Sequence, residues 1–148
     1  MEKPLAENKK ASFNYQILTT LEAGIELLGH EVKSILKGQA SLVGAYATIK
    51  GGELWLTNAQ VPAYQKNNTP SDYTPLRSRR LLVKKSDLAE LIGKMSSERL
   101  TMVPLKMYNN GPRIKVLIGL VRGKREYEKR EVLKKRAVKR EIQRTLRS

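Results

Sequence analysis

The chain is 148 residues long and 40% hydrophobic, which suits one domain around one modest core. Its 29 Lys and Arg stand against 14 Asp and Glu, a formal net charge of +15, and such an imbalance points to a polyanionic partner without saying anything about fold. With no cysteine and His30 as its one histidine, the chain is excluded from disulfide frameworks, zinc-thiolate and histidine metal sites and cysteine catalysis, and it offers neither an apolar membrane span nor a signal-peptide core in MEKPLAENKKAS.

Taken in chain order, Tyr15 to Thr20 is a β-branched and aromatic run that predicts a short strand. Glu31 to Lys37 predicts a short helix closed by Gly38 as a left-handed C-terminal cap. Ala45 to Lys50 and Glu53 to Thr57 form a hairpin signal, with Gly51-Gly52 supplying positive φ at the turn. In its second strand Trp55 faces away from Leu54 and Leu56, and packing on a barrel face is the favoured reading over a base-stacking platform. After the Pro- and Asn-rich stretch from Gln65 to Pro75, Leu81 to Val83 predicts another strand. A helix from Asp87 to Arg99 has Ser86 as its expected N-cap and Leu88, Leu91, Ile92 and Met95 on one face. Thr101 to Tyr108 and Arg113 to Val121 flank the turn residues Asn109-Asn110-Gly111-Pro112; Pro104 marks the first of these strands as an edge or a bulge. The expectation is a mainly β chain, a small partly closed barrel with two or three short helices and a basic C-terminal tail.

The charge divides the chain in two. Residues 1–121 carry 17 basic and 10 acidic residues, whereas Arg122 to Ser148 carry 12 and 4. The expected organisation is a body over residues 1–123 and a tail over 124–148. Glu126 to Arg147 contains no Pro or Gly, and helical projection places Tyr127, Val138, Ile142 and Leu146 on one side. Lys129, Arg130, Arg136, Lys139, Arg140, Arg144 and Arg147 crowd the other side. Like charges at i, i+4 (Lys135/Lys139, Arg136/Arg140) oppose an isolated helix, so the tail is expected to be disordered when free and helical once a polyanion neutralises it. A membrane-surface helix is disfavoured because the apolar stripe has no Trp or Phe.

Several segments share their order and spacing with one family. They are Asn8-Lys9-Lys10-Ala11 with Tyr15, Glu22-Ala23-Gly24-Ile25, and Gly29-His30-Glu31-Val32-Lys33-Ser34 with Gly38. Next come Tyr46 with Gly52-Glu53-Leu54, Arg77-Ser78-Arg79-Arg80-Leu81-Leu82, Val103-Pro104-Leu105 with Tyr108, and Gly119-Leu120-Val121-Arg122-Gly123-Lys124 with Lys129-Arg130. Over residues 8 to about 130 the chain resembles the small protein B family, the tmRNA-binding proteins of bacterial trans-translation. The resemblance implies an oligonucleotide-binding-like barrel whose body binds the tRNA-like domain of tmRNA. It also implies that the tail folds in the vacant decoding and mRNA channel of the ribosomal small subunit, and that alanyl-tmRNA is delivered to stalled ribosomes together with elongation factor Tu. A cytoplasmic monomer with no cofactor, no metal, no membrane and no enzymatic chemistry is the corresponding expectation. The alternative is a ribosomal or ribosome-assembly RNA-binding protein of similar body-plus-tail design. Family members usually carry Arg-His where this chain has Ser12-Phe13, so Phe13 is a candidate to stack on a base in place of that histidine.

Lys9, Lys10, Lys33, Arg77, Arg79, Arg80, Lys124 and Arg125 are the body residues suited to phosphate and sugar contact. Asn8 either donates to a phosphate or caps the following turn. For Glu31, chemistry alone favours stabilising its helix start or pairing with Lys33 or a nearby Arg; the resemblance favours reading a base or ribose donor on the RNA. Tyr127, Lys129, Arg130, Lys134, Lys135, Arg136, Lys139 and Arg140 are the expected ribosome-binding residues of the tail. His30 has no expected role in chemistry.

Overall fold

A computed structural model of the protein describes residues 4–65, 69–97, 100–123, 133–140 and 142–143. Seven strands and three helices of the body run in the order β1 (Ala6–Glu7), α1 (Ala11–Asn14), β2 (Tyr15–Ile25), α2 (Gly29–Leu36), β3 (Tyr46–Lys50), β4 (Glu53–Thr57), β5 (Arg79–Leu82), α3 (Lys85–Ser97), β6 (Thr101–Asn110) and β7 (Arg113–Gly123). Every pairing is antiparallel. The strand order β1-β6-β3-β4-β5-β2-β7, with β7 returning to β6, closes six strands into a ring and leaves β1 on the outside of β6. Closure removes the exposed edges that would otherwise template aggregation.

Strand alternation builds the core. Leu54 and Leu56 on β4, and Ile114, Val116, Ile118 and Leu120 on β7, all face one interior and are at most 9% exposed. Helix α2 adds Ile35 to that interior, and α3 adds Leu91 with Leu88 and Met95 beside it. Trp55 lies between the two inward leucines on the outer side, half-buried, with its indole N–H donating to the Lys50 carbonyl at 3.3 Å. A second small cluster forms on the outer surface, where Ala11 of α1 covers Val103 and Val121.

Several local expectations hold, because they depend on backbone chemistry that a few residues settle. Gly38, Gly51, Gly52 and Gly111 all adopt positive φ, between 61° and 76°. Pro104 marks a bulge: the β6–β7 register slips between Pro104 and Lys106, and Leu105, left without a register partner, lies across Gly119. A Cβ on Gly119 would sit 3.0 Å from Leu105 Cδ1, so a glycine there gives the bulged leucine its seat.

Other expectations are corrected. The strand expected over Tyr15 to Thr20 continues to Ile25, because β2 pairs with β7 along nearly its whole length and then with β5. Ser86 is not the N-cap of α3; the helix starts at Lys85, and the Leu88 amide donates to the Lys84 carbonyl at 3.0 Å. Strand β1 and helix α1 carried no readable signal, being too short for periodicity. In the tail, residues 133–140 and 142–143 are helical.

Candidate nucleic-acid interface

The expected RNA-contacting residues fall in two places. The first is the turn before α1. Here Asn8 is tied to the β6 bulge: its backbone amide donates to the Leu105 carbonyl at 2.8 Å and its Nδ2 to the Pro104 carbonyl at 3.1 Å. Asn8 thus takes the carbonyls of two adjacent residues at the bulge. Its carbonyl then accepts from the Ala11 amide at 3.2 Å, opening α1. One of the two side-chain N–H donors of Asn8 is therefore spent on the fold. Lys9 and Lys10, held out by this anchored turn, are exposed.

The second place lies between α2 and the segment leading into β5. Glu31 and Arg79 are both completely buried. Arg79 Nε and Nη2 donate to Glu31 Oε2 at 2.8 and 2.5 Å, and Arg77 reaches the same carboxylate through Nε at 3.0 Å and through Nη2 to Oε1. The Tyr73 hydroxyl donates to Glu31 Oε2 at 2.9 Å, and the Leu28 amide to Oε1 at 2.8 Å. Arg79 completes its valence on the Ala59, Arg77 and Pro75 carbonyls at 2.9 to 3.1 Å. Every polar group of this buried pair is thus satisfied, the condition under which burying two charges is tolerated.

This arrangement corrects two expectations. Arg79 cannot touch phosphate, because its guanidinium is wholly enclosed and saturated by protein acceptors. Glu31 cannot read an RNA donor, because both its oxygens are covered by arginines, Tyr73 and the start of its own helix. The reading from chemistry alone, a helix-start carboxylate paired with a nearby Arg, describes what the fold does with it. Burial alone would raise the Glu31 pKa. Hydrogen bonds from Arg77, the Leu28 amide and Arg79, with the Arg79 charge, outweigh that and hold it at about 2. The Tyr73 hydroxyl is pushed up by burial and by the Glu31 carboxylate it donates to.

Around this buried knot, three basic side chains reach the surface. The Arg77 side chain is 31% exposed, so one flank of its guanidinium remains open. Lys33 is exposed, with its ammonium 5.9 Å from the centre of the Tyr64 ring. Arg80 is 40% exposed but pairs with Glu26 at 3.4 Å and Glu53 at 3.1 Å, which offsets much of its charge. His30 packs edge-on against Tyr73, ring centres 4.5 Å apart, and walls one side of the knot.

Of the tail residues, Lys134, Lys135, Arg136, Lys139 and Arg140 lie on the exposed helix over 133–140, and Leu133, Val138 and Ile142 are exposed beside them. The Arg136 guanidinium lies 5.8 Å from the centre of the Phe13 ring, a cation–π contact between tail and body. Lys124, Arg125, Tyr127, Lys129 and Arg130 lie outside the described residues. Among the described residues, no group of three acidic, His or Cys side chains is placed to hold a metal, and no helix is long and apolar enough to cross a membrane.

Sequence reasoning missed Tyr73, which lies in a Pro-rich loop with no periodicity. It also missed the exposed pair on β2 and β6 in which the Tyr108 hydroxyl donates to Glu22, and burial with that carboxylate lifts the tyrosine pKa to about 12. Period-2 counting on the two strands places both residues on the outer face, and that signal was available.

The chain matches the family model described as SmpB protein over residues 5–148. It is 44% identical over 144 residues to an SsrA-binding protein of Thermosynechococcus vestitus, covering 97% of this chain and 95% of that one. It is 50% identical over 137 residues to an SsrA-binding protein of Chlorobaculum tepidum, covering 92% and 87%. A chain in the solved structure described as "tmRNA-SmpB: a journey to the center of the bacterial ribosome" superposes with a TM-score of 0.66 at 42% identity, covering 86% of this chain and 92% of that one.

Proposed function

The chain belongs to the SmpB family, and on that premise we propose that it is the tmRNA-binding adaptor of ribosome rescue: its body binds the tRNA-like domain of tmRNA and its tail serves the ribosome. The observation that carries this reading is the extent of the family match, which runs from residue 5 through the basic tail to residue 148. Binding is read as shape and charge complementarity, with no chemical step. Lys9, Lys10, Lys33 and Arg77 are the body residues assigned to phosphate and sugar, all at or near the surface. Arg80 joins them with a charge that Glu26 and Glu53 partly offset, and Lys124 and Arg125 extend the set by sequence.

Glu31 and Arg79 are positioning residues in this reading. Their pair pins the segment carrying Arg77 to the helix carrying Lys33, so two cations from distant parts of the chain share one rigid base. The tail residues Tyr127, Lys129, Arg130, Lys134, Lys135, Arg136, Lys139 and Arg140 are assigned to the decoding region of the small subunit, in the vacant mRNA channel. Delivery of alanyl-tmRNA with elongation factor Tu, a monomeric state, a cytoplasmic location and the absence of enzymatic activity belong to the same proposal.

A gel-shift titration at ~150 mM salt, where nonspecific phosphate binding is weak, tests it by comparing the tRNA-like domain of tmRNA with a tRNA of equal length. A clear preference for the tmRNA domain is expected. Equal, weak binding to both would overturn the adaptor reading in favour of a ribosomal RNA binder.

A further inference from the structure

Between the turn before α1 and the loop entering β3 lies an open cleft of about 310 Å³. Its walls carry Lys10, Asn14, Tyr15 and Tyr46, with the small residues Ala11 and Gly44 among them. No carboxylate lines it, which disfavours a cationic ligand. The Asn14 side-chain amide, both tyrosine hydroxyls and the Lys10 ammonium have no hydrogen-bond or ion-pair partner among the described residues, so four residues lining the cleft carry unspent polar groups.

Tyr46 is the distinctive member. The chain has one Trp, one Phe and six Tyr, and among the described residues Tyr46 is the most exposed aromatic. It stands 38% exposed at the first position of β3, opposite Thr57, with no aromatic side chain stacked on it. Gly44, two residues before it in the incoming loop, adopts φ 77°, and a Cβ there would meet nothing within 4 Å. Tyr15, by contrast, packs on the outer cluster around Val103 and forms a fixed wall.

An open tyrosine face, an amide with both donor and acceptor, a nearby ammonium and no negative charge match one ligand chemistry: a flat heteroaromatic ring with a polar edge, attached to phosphate. A volume of about 310 Å³ is ample for one such ring. We infer that this cleft takes a single unstacked nucleobase from the bound RNA, with its face on Tyr46, its edge on Asn14 and its phosphate on Lys10. The inference rests on the reading of the body as an RNA-binding surface and adds to it a pocket for one extruded nucleotide.

The test uses the full chain and the tRNA-like domain of tmRNA, in filter binding at ~150 mM salt. Tyr46→Leu removes the stacking face and should weaken binding roughly tenfold to a hundredfold, whereas Tyr46→Phe keeps it and should bind as wild type does. The second arm changes the RNA and leaves the protein intact: unpaired nucleotides are made abasic one at a time. One abasic site should cost wild-type protein as much as Tyr46→Leu does, and should cost the Tyr46→Leu variant nothing more. Unchanged affinity in Tyr46→Leu, or abasic losses of equal size in both proteins, would overturn the inference. Wild-type protein that shows no preference for the tmRNA domain overturns the adaptor reading, while a preference that Tyr46→Leu leaves intact overturns the pocket alone.

Discussion

Arg79 and Glu31 form a fully buried ion pair 48 positions apart in sequence, with two guanidinium nitrogens on one carboxylate oxygen at 2.8 and 2.5 Å. Neither residue reaches solvent, yet together they decide where the surface arginine Arg77 stands. A charge pair in this position acts through geometry, since its own Coulomb gain is largely cancelled by desolvation.

Removing one partner leaves the other charged and unpaired. Glu31→Ala should therefore cost about 3–5 kcal/mol of stability, read as a lowered midpoint in urea unfolding. Glu31→Gln should cost somewhat less, since the amide still accepts hydrogen bonds. A loss below about 1 kcal/mol in Glu31→Ala would mean that the knot is held by its neighbours and Glu31 is dispensable.

The same carboxylate makes stability depend on acid. Its pKa is about 2 in the folded chain against an ordinary 4.5, so the folded state binds fewer protons than the unfolded one. The stabilisation is fully present above pH 4.5 and is lost as pH falls from there towards 2, amounting to about 3 kcal/mol in all. Unfolding free energies for wild type and Glu31→Gln, measured from pH 6 down to pH 2, should converge at the acid end. Parallel curves would assign the acid sensitivity to other carboxylates.

Surface cations should behave differently from the buried one. Lys9→Gln and Arg77→Gln should each weaken RNA binding across sequences and reduce the slope of log K against log salt by about 1. Lys9→Gln should leave the melting temperature in place, because Lys9 is exposed. Arg80→Gln should change the slope less than either, since Glu26 and Glu53 already offset its charge. Equal slope changes for Lys9, Arg77 and Arg80 would show that those glutamates move aside on binding.

Deleting the residues after Arg130 should leave affinity for the tRNA-like domain nearly intact and abolish tagging on stalled ribosomes in a reconstituted translation assay. The Arg136–Phe13 contact is one link between tail helix and body, and a cation–π contact contributes no more than about 1 kcal/mol at an exposed site. Tagging at normal levels by the truncated chain would assign the ribosomal role to the body.

The charge imbalance, the basic tail, the hairpins and the bulge were all legible in the sequence. Each follows from composition or from a few adjacent residues: Gly51-Gly52 makes its turn wherever the rest of the chain goes, and Pro104 removes a ladder donor in any sheet. The burial of Glu31 and the roles of Arg79 and Asn8 were not legible, because a charged or amide side chain carries no mark of burial in its own neighbourhood. Arg79 reads as one more cation in an Arg-Ser-Arg-Arg run until the fold turns it inward beside Glu31 and the Ala59 carbonyl. Asn8 is 96 positions from the Pro104 carbonyl it holds, and Tyr73 is 42 from Glu31. Contacts at such separations exist only once strand closure has brought their elements together. The sequence by itself determined what kind of partner this protein meets, and the tertiary structure alone decided which of its charges face that partner and which hold the others in place.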